Sequence, residues 1–145
     1  TDVIKFAYQT GARQGEILKL KREHIDFANK QCTFFDTKNS ADRTIPLADE
    51  TLAMLKKHVF GEYIFNCKSS RLRNWFRRAC KEAKISNFRF HDLRACFCTN
   101  ALLNGWSIAE VSAVSGHKDW SQLKRYTRIK PKDLLEKINN VVNLK

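Results

Sequence analysis

The amino-acid sequence predicts an α+β fold that is mainly helical, with a small antiparallel sheet of three strands. Apolar residues recur at helical spacing through most of the chain, and glycines or capping residues stand at the ends of these segments. The only runs with strand character are short, β-branched or aromatic, and joined by turn-forming residues. Because the 145 residues contain no repeat and no linker rich in proline or glycine, we expect a single domain over residues 1–145.

Two short helices and the sheet are predicted in the first third of the chain. Residues 2–10 are predicted to form a helix that ends at Gly11, and RQGEILKL a second helix that turns Ile17, Leu18 and Leu20 inward. Strands are predicted in HIDF, QCTFFD and RTIPL, because the intervening ANK and TKNSAD are typical of turns. Joints this short favour an antiparallel meander.

Helices are predicted for the rest of the chain. ADETLAMLKKHV has acids first and lysines near its end, as the helix macrodipole favours. HDLRACFCTNALLNG ends at Gly105, and SIAEVSAVSG runs from a capping box of Ser107 and Glu110 to Gly116. Residues 70–84 carry an apolar stripe that is predicted to face the core. Its members are Leu72, Trp75, Phe76, Ala79, Cys80 and Ala83.

The charge of the chain indicates a polyanionic partner. Lysine and arginine number 27 against 15 acidic residues, a formal net charge of +12, which favours nucleic acid. No segment approaches the roughly 20 apolar residues of a membrane span, so we expect no membrane partner. The predicted helix over 70–84 carries a basic face that is either solvated or in contact with DNA phosphates. Its residues include Arg71, Arg73, Arg77, Arg78 and Lys81.

The cysteines do not suggest a metal site. Cys32, Cys67, Cys80, Cys96 and Cys98 form an odd set without a repeated CxxC spacing. Cys96 and Cys98 would point about 200° apart on a helix, which makes them poor partners at one zinc ion. We therefore expect reduced, mostly buried thiols in an intracellular protein, with no bound metal.

Two segments offer arginines for phosphate binding. In FHDLR, His91 and Arg94 are three residues apart, so they share a face of the predicted helix while Leu93 turns to the core. A guanidinium beside an imidazole is suited to clamping a phosphate. In TGARQGEIL, Arg13 precedes a helix, and Glu16 is placed to hold its guanidinium. Taken alone, each pair is also typical of an ordinary protein surface.

Three further residues complete the candidate set. Lys38 stands at the mouth of the predicted hairpin turn. A lysine there is solvated, protects a sheet edge, or delivers its ammonium into a groove, and Lys30 is a nearby alternative for the last role. His117 follows Gly116, and Tyr126 stands nine residues later among basic residues, so its ring either packs under the domain or meets a phosphate. The sequence has no acidic cluster for two-metal cleavage and no glycine-rich phosphate loop. Phosphodiester cleavage would therefore use cations and a side-chain nucleophile.

Together these segments resemble the catalytic domain of the tyrosine recombinases, the phage-integrase family. TGARQGEI resembles its first arginine box, HDLRACFCT its His-x-x-Arg box, and SGHKDWSQLKRYT its Gly-His box followed by the nucleophile. The likeness covers essentially the whole chain, and the intervals from His91 to His117 and on to Tyr126 agree with the family spacing. The chain departs from the family pattern at Ala95, Ser115, Gln122 and Leu123.

The resemblance implies a tyrosine site-specific recombinase with the fold of that catalytic domain. Such an enzyme binds DNA and acts in DNA recombination, for DNA integration or excision, without metal or cofactor. Tyr126 would be the nucleophile of a transesterification that passes through a covalent 3′-phosphotyrosine intermediate. Glu16 would orient the first arginine. The other implied catalytic residues are Arg13, Lys38, His91, Arg94 and His117.

The resemblance also implies partners and a setting. Double-stranded DNA would be the substrate, bound by a homo-oligomer as a tetrameric synapse, with accessory DNA-bending or directionality proteins. A cytoplasmic bacterial or phage protein is expected, with an N-terminal DNA-binding domain upstream of Thr1. The tail KDLLEKINNVVNLK carries an apolar stripe that would fold onto its own domain or onto a neighbouring protomer. Its members are Leu134, Leu135, Ile138, Val141 and Val142.

Three other functions are compatible with the same residues. A type IB topoisomerase would use similar residues to relax supercoiled DNA. A transcription factor would use the two short helices around Gly105 as a helix-turn-helix and would not need Tyr126. An inactive relative would only bind DNA or compete for sites.

Overall fold

The computed structural model describes residues 2–35, 42–127, 131–135, 138 and 141, and over these ranges it confirms the predicted fold class. The helices are α1 (Asp2–Thr10), α2 (Gln14–Leu18), α3 (Asp49–Leu55), α4 (Ser69–Glu82), α5 (Asp92–Leu103) and α6 (Ile108–Ser115). The strands are β1 (Ile25–Asp26), β2 (Gln31–Phe34) and β3 (Arg43–Pro46). Short 3₁₀ helices occupy Arg22–His24, Lys56–His58, Trp120–Tyr126 and Pro131–Leu134.

The three strands form the predicted antiparallel meander in the order β1-β2-β3. Cys32 in the central strand pairs with Ile25 on one side and Ile45 on the other. All three side chains are buried, so one face of the sheet belongs to the core. On the other face, the hydroxyls of Thr33 and Thr44 are 2.9 Å apart across the β2–β3 pair.

The apolar residues form two clusters. The larger one joins α1–α4 to the sheet, and its fully buried members include Phe6, Ile17, Leu20, Leu55 and Leu72. The smaller one joins α5 and α6 to the 3₁₀ helix Trp120–Tyr126 through Cys98, Ala101, Val111 and Leu123. Helix α1 packs along α5, and Arg94 in the first turn of α5 donates to the carbonyl of Gly11, directly after α1, so these two ends lie beside each other. This arrangement brings together segments that are far apart in the chain.

Two predictions about helix ends are confirmed. The α6 capping box has both of its hydrogen bonds, from the Ser107 N–H to the Glu110 carboxylate at 2.7 Å and from the Glu110 N–H to the Ser107 hydroxyl at 3.2 Å. Helix α1 ends before Gly11, whose φ is +64°. All five cysteines are free thiols, and Cys32, Cys80 and Cys98 are buried. Within the described ranges, no helix is long and apolar enough to cross a bilayer.

The predicted core stripe of α4 is too wide. Helix α4 buries only Leu72, Phe76 and Cys80, a single row with a spacing of four residues. Trp75 is 45% exposed, with the Arg71 guanidinium 4.7 Å from the centre of its ring. Ala79 is also exposed, as is Ala83 beyond the helix end. The prediction for these three residues was wrong, because the body of the protein covers one narrow row of the helix.

Candidate active site

Arg13 is held in place at the start of α2 and stays partly open to solvent. Its backbone N–H donates to Glu16 Oε2 at 2.7 Å, and its Nη1 donates to Glu16 Oε1 at 3.1 Å. Its Nη2 donates to the carbonyl of Gly116 at 3.0 Å, and Gly116 lies 103 residues further along the chain. The side chain nevertheless keeps 44% of its surface exposed. Arg13 is therefore oriented by the protein while remaining accessible to a ligand.

Arg94 lies close to Arg13 and is only 4% exposed. Its Nη1 donates to the carbonyl of Gly11 at 2.9 Å and to the carbonyl of Ser115, and its Nη2 lies 3.2 Å from Nδ1 of His117. Burial, with repulsion from the charge of Arg13, lowers the pKa of Arg94 to about 10. The guanidinium is therefore charged at neutral pH and ties α1 to the end of α6.

The hydrogen bonds of His117 determine which of its nitrogens carries the proton. Nδ1 faces Arg94 and lies 2.8 Å from the hydroxyl of Ser115. An arginine only donates hydrogen bonds, so Nδ1 is the acceptor and the neutral ring carries its proton on Nε2. Burial and the charges of Arg94 and Arg13 lower the pKa of His117 to about 4. The ring is therefore a neutral hydrogen-bond donor at physiological pH.

The turn between α6 and His117 brings these groups together. Gly116 ends α6 in the left-handed conformation, with φ +76° and ψ +34°. A side chain is strained in that conformation. Arg13 binds its carbonyl, and Arg94 binds the carbonyl of the preceding Ser115. The turn is therefore the point at which two distant arginines and one histidine converge.

Glu16 supports Arg13, as predicted, and also binds a residue that the sequence reasoning missed. Arg43 Nη1 and Nη2 donate to the two carboxylate oxygens of Glu16, each at 3.0 Å. One signal for Arg43 was present in the sequence. Arg43 and Ile45 are two residues apart on a predicted strand and so share one face of the sheet, which is the buried face.

The remaining candidates are less closely joined to this cluster. His91 immediately precedes α5 and is exposed, so it does not form one open clamp with the buried Arg94. Tyr126 ends the last turn of its 3₁₀ helix, half-buried against the smaller apolar cluster. Among the described residues, no hydrogen bond joins its hydroxyl to Arg13, Arg94 or His117. Lys38 lies outside the described residues, and its alternative Lys30 forms a 2.7 Å ion pair with Asp49.

The basic face of α4 leads towards this site. All five predicted residues are exposed: Arg71, Arg73, Arg77, Arg78 and Lys81. A groove beside α4 connects this face to the start of α5, and its polar lining includes Gln14, Arg73, Arg77, Arg89 and His91. In the part of the chain that is described, no three His, Cys, Asp or Glu side chains are grouped to hold a metal ion.

Comparison with known proteins identifies relatives. A family model described as the phage integrase family matches residues 2–133. The chain is 33% identical over 141 residues to a shufflon-specific DNA recombinase of Escherichia coli, covering 94% of this chain and 36% of that protein. It is 30% identical over 136 residues to the tyrosine recombinase XerA of Saccharolobus solfataricus, covering 91% of this chain and 46% of that protein. The chain thus spans less than half the length of these two relatives.

Solved structures share the fold. The catalytic domain of bacteriophage HP1 integrase superposes with a TM-score of 0.75 at 25% identity, covering 99% of this chain and 84% of that one. The Tn1549 transposon integrase in complex with a circular intermediate DNA has a TM-score of 0.84 at 16% identity, covering 96% of this chain and 57% of that one. The second likeness shows the fold alone.

Proposed function

The chain belongs to the phage integrase family, and from this we propose that it cleaves and rejoins DNA strands in site-specific recombination. One observation carries the proposal to this chain. Arg13, Arg94 and His117 converge on a single turn, although Arg13 and Gly116 are 103 residues apart in sequence. Two charged guanidiniums and a neutral imidazole N–H are the donors that a phosphodiester gaining negative charge requires.

The proposed reaction exchanges one phosphodiester bond for another. The hydroxyl oxygen of Tyr126 attacks the scissile phosphorus while its proton passes to His91. The bond from phosphorus to the 5′ oxygen breaks, and Lys38 protonates that oxygen, leaving a 3′-phosphotyrosyl link. A 5′-hydroxyl from another strand then attacks the link and releases Tyr126. Each step forms one phosphoester bond for the one that it breaks, so no external energy source is needed.

Each member of the cluster has a proposed role that its geometry supports. The exposed Arg13 binds a non-bridging oxygen of the phosphate directly. Arg94 contributes positive charge and the N–H groups that its three protein acceptors leave unused. His117 donates from Nε2 and does not transfer a proton, because its pKa of about 4 keeps it neutral. Loss of one such donor typically costs about 3 kcal/mol of transition-state stabilisation.

A covalent-trapping experiment tests the proposal. Nicked duplexes with a randomised central segment are incubated with the protein, and adducts that survive SDS are isolated and sequenced. We expect wild type to form the adduct, and Tyr126→Phe to lose it while still binding the selected DNA. Tyr8→Phe and Tyr63→Phe are the controls that keep it. An adduct that persists in Tyr126→Phe and maps to another tyrosine would contradict the assignment, and relaxation of plasmid without strand exchange would indicate a topoisomerase.

We also propose that the exposed basic face of α4 binds the DNA backbone. Each phosphate contact releases counterions, so affinity falls steeply with salt. Replacing Arg73 or Arg77 with glutamine is expected to reduce the slope of log affinity against log salt by about 1 each. Lys57→Gln is the matched control, because Lys57 is an exposed cation that lines a different groove. An unchanged slope in both arginine variants would contradict the proposed DNA-binding face.

Assembly on DNA is part of the proposal. Strand exchange needs several cleavage sites at once, so we propose a homotetramer on double-stranded DNA in the cytoplasm of a bacterial cell. The apolar tail residues Leu134, Leu135, Ile138 and Val141 are between 44% and 67% exposed, which supports packing on a neighbouring protomer. Val142 lies outside the described residues. Sedimentation with and without the selected DNA measures the assembly, and truncation after residue 133 is expected to weaken it.

A further inference from the structure

Arg43, at the start of β3, is a largely buried arginine for which the proposed reaction has no direct use. Its two terminal nitrogens donate to the two oxygens of Glu16, each at 3.0 Å. The two side chains are only 13% and 17% exposed. The Arg43 guanidinium also lies 4.8 Å from the centre of the Phe34 ring. A two-point pair of this kind fixes the plane of the carboxylate as well as its position.

The same carboxylate holds Arg13. Each oxygen of Glu16 accepts one hydrogen bond from Arg43 and one from Arg13. The Arg13 donors are its backbone N–H, 2.7 Å from Oε2, and its Nη1, 3.1 Å from Oε1. A carboxylate has about four acceptor sites, so the two arginines occupy Glu16 fully. Without Arg43 the carboxylate would be held by Arg13 alone, and the restraint on Arg13 would loosen.

Arg43 also determines the net charge of the group around Arg13. Burial opposes ionisation of Glu16, but hydrogen bonds and charge from Arg43 and Arg13 hold its pKa below the ordinary value. One carboxylate shared by two guanidiniums leaves a net positive charge, whereas a pair of Glu16 and Arg13 alone would be neutral. Because a phosphate responds to the net charge within a few ångströms, Arg43 preserves the attraction at Arg13.

The Arg43 guanidinium also abuts the turn that carries the rest of the site. A Cβ atom added at Gly116 would lie 2.9 Å from Arg43 Cζ. Arg43 therefore packs against both groups that restrain Arg13, the carboxylate of Glu16 and the peptide of Gly116. Its Nε is buried without a hydrogen-bond partner among the described residues. A buried unpaired donor costs free energy, so Arg43 is not an optimal residue for stability at this position.

We propose that Arg43 is a positioning residue for Arg13. It anchors the Glu16 carboxylate and the turn at Gly116, and so holds the Arg13 guanidinium towards a scissile phosphate with its charge intact. The role rests on the proposed strand-cleavage function. Arg43 acts through Arg13 and does not itself contact the DNA.

The experiment measures the rate of covalent adduct formation at saturating DNA. Arg43→Met and Arg43→Lys are made alone and in combination with Arg13→Lys, and the melting temperature of each variant reports on folding. Arg22→Met is the matched control, because Arg22 also stacks on a phenylalanine, 4.4 Å from the centre of the Phe27 ring. We expect Arg43→Met to slow the reaction by about tenfold to a hundredfold, as misplacement of a binding group does, with DNA affinity little changed.

Arg43→Lys keeps the charge but loses the two-point pair, so its rate is expected between those of Arg43→Met and wild type. If Arg43 acts through Arg13, either change adds little to the loss in Arg13→Lys. Losses that multiply, or a folded Arg43 variant with the wild-type rate, would overturn the proposal. Should Arg43→Met not fold, the same criteria apply to Arg43→Lys. Failure of wild type and Arg22→Met to form any adduct would overturn the strand-cleavage function instead.

Discussion

Replacing Gly116 with alanine tests the packing of the turn on which the site is built. Two costs add. An L-residue other than glycine in the left-handed conformation, here φ +76°, lowers the free energy of unfolding by about 1–2 kcal/mol. The new Cβ atom would also overlap the Arg43 guanidinium, 2.9 Å from Cζ. Because Glu16 holds that guanidinium through two hydrogen bonds, it cannot swing away freely, and overpacking against a fixed group costs about 1–3 kcal/mol. We expect the free energy of unfolding to fall by about 2–5 kcal/mol in total.

Gly105→Ala is the matched control for this change. Gly105 also has a positive φ, +88°, but a Cβ atom added there would have nothing within 4 Å. It therefore carries the conformational cost of about 1–2 kcal/mol without the overlap. Gly105 ends α5 on an exposed surface, so adduct formation should be retained, whereas displacement of Arg43 in Gly116→Ala should slow it.

Urea denaturation followed by circular dichroism measures both variants. For a chain of this size, each kcal/mol lost corresponds to about 3 °C in the melting temperature. Gly116→Ala should be the less stable variant by at least about 1 kcal/mol. Equal losses in the two variants would refute a close contact between Arg43 and the turn. In the background of Arg43→Met the overlap cost of about 1–3 kcal/mol should disappear while the conformational cost remains, which would support the contact directly.

Two further predictions concern titration and thiol reactivity. The pKa of His117 is about 4 in the folded chain against 6.5 ordinarily, so the unfolded chain binds more protons between these values and stability falls as pH drops through this window. His117→Gln should lack that part of the slope when melting temperature is followed against pH. Burial raises the pKa of Cys32 to about 12, so a thiol reagent at pH 8 should modify the partly exposed Cys67 in native protein, and Cys32 only in urea.

Helix ends could be read from the sequence because their causes are local. The Ser107 and Glu110 capping box closes within one turn of α6, and the glycine after α6 adopts the left-handed conformation that ends a helix. The meander was predictable for the same reason, since short joints allow only antiparallel pairing. The three boxes made Arg13 and Arg94 candidates, because a family pattern can be matched without knowing where the residues meet, and the two bind adjacent carbonyls of one turn.

Burial was harder to predict than element type. The period of α4 gives the angular position of each side chain, but the width of the covered strip depends on neighbouring elements. Trp75 lies at the margin of that strip, where the Arg71 guanidinium covers its ring and solvent reaches its edge. Arg94 was expected on a shared open face with His91, yet the packing of α1 along α5 encloses it.

Which residues can be helix, strand or turn follows from interactions within about four positions, and the order of residues along the chain carries that information. Local interactions do not determine the contact of Arg43 with Glu16, which is 27 residues away in the chain. Nor do they determine the contact of Arg13 with the turn at Gly116, which is 103 residues away. Such contacts form because buried charges must find partners once the apolar faces have packed. The tertiary structure therefore decides the geometry of these contacts, and it also decides the net charge around Arg13.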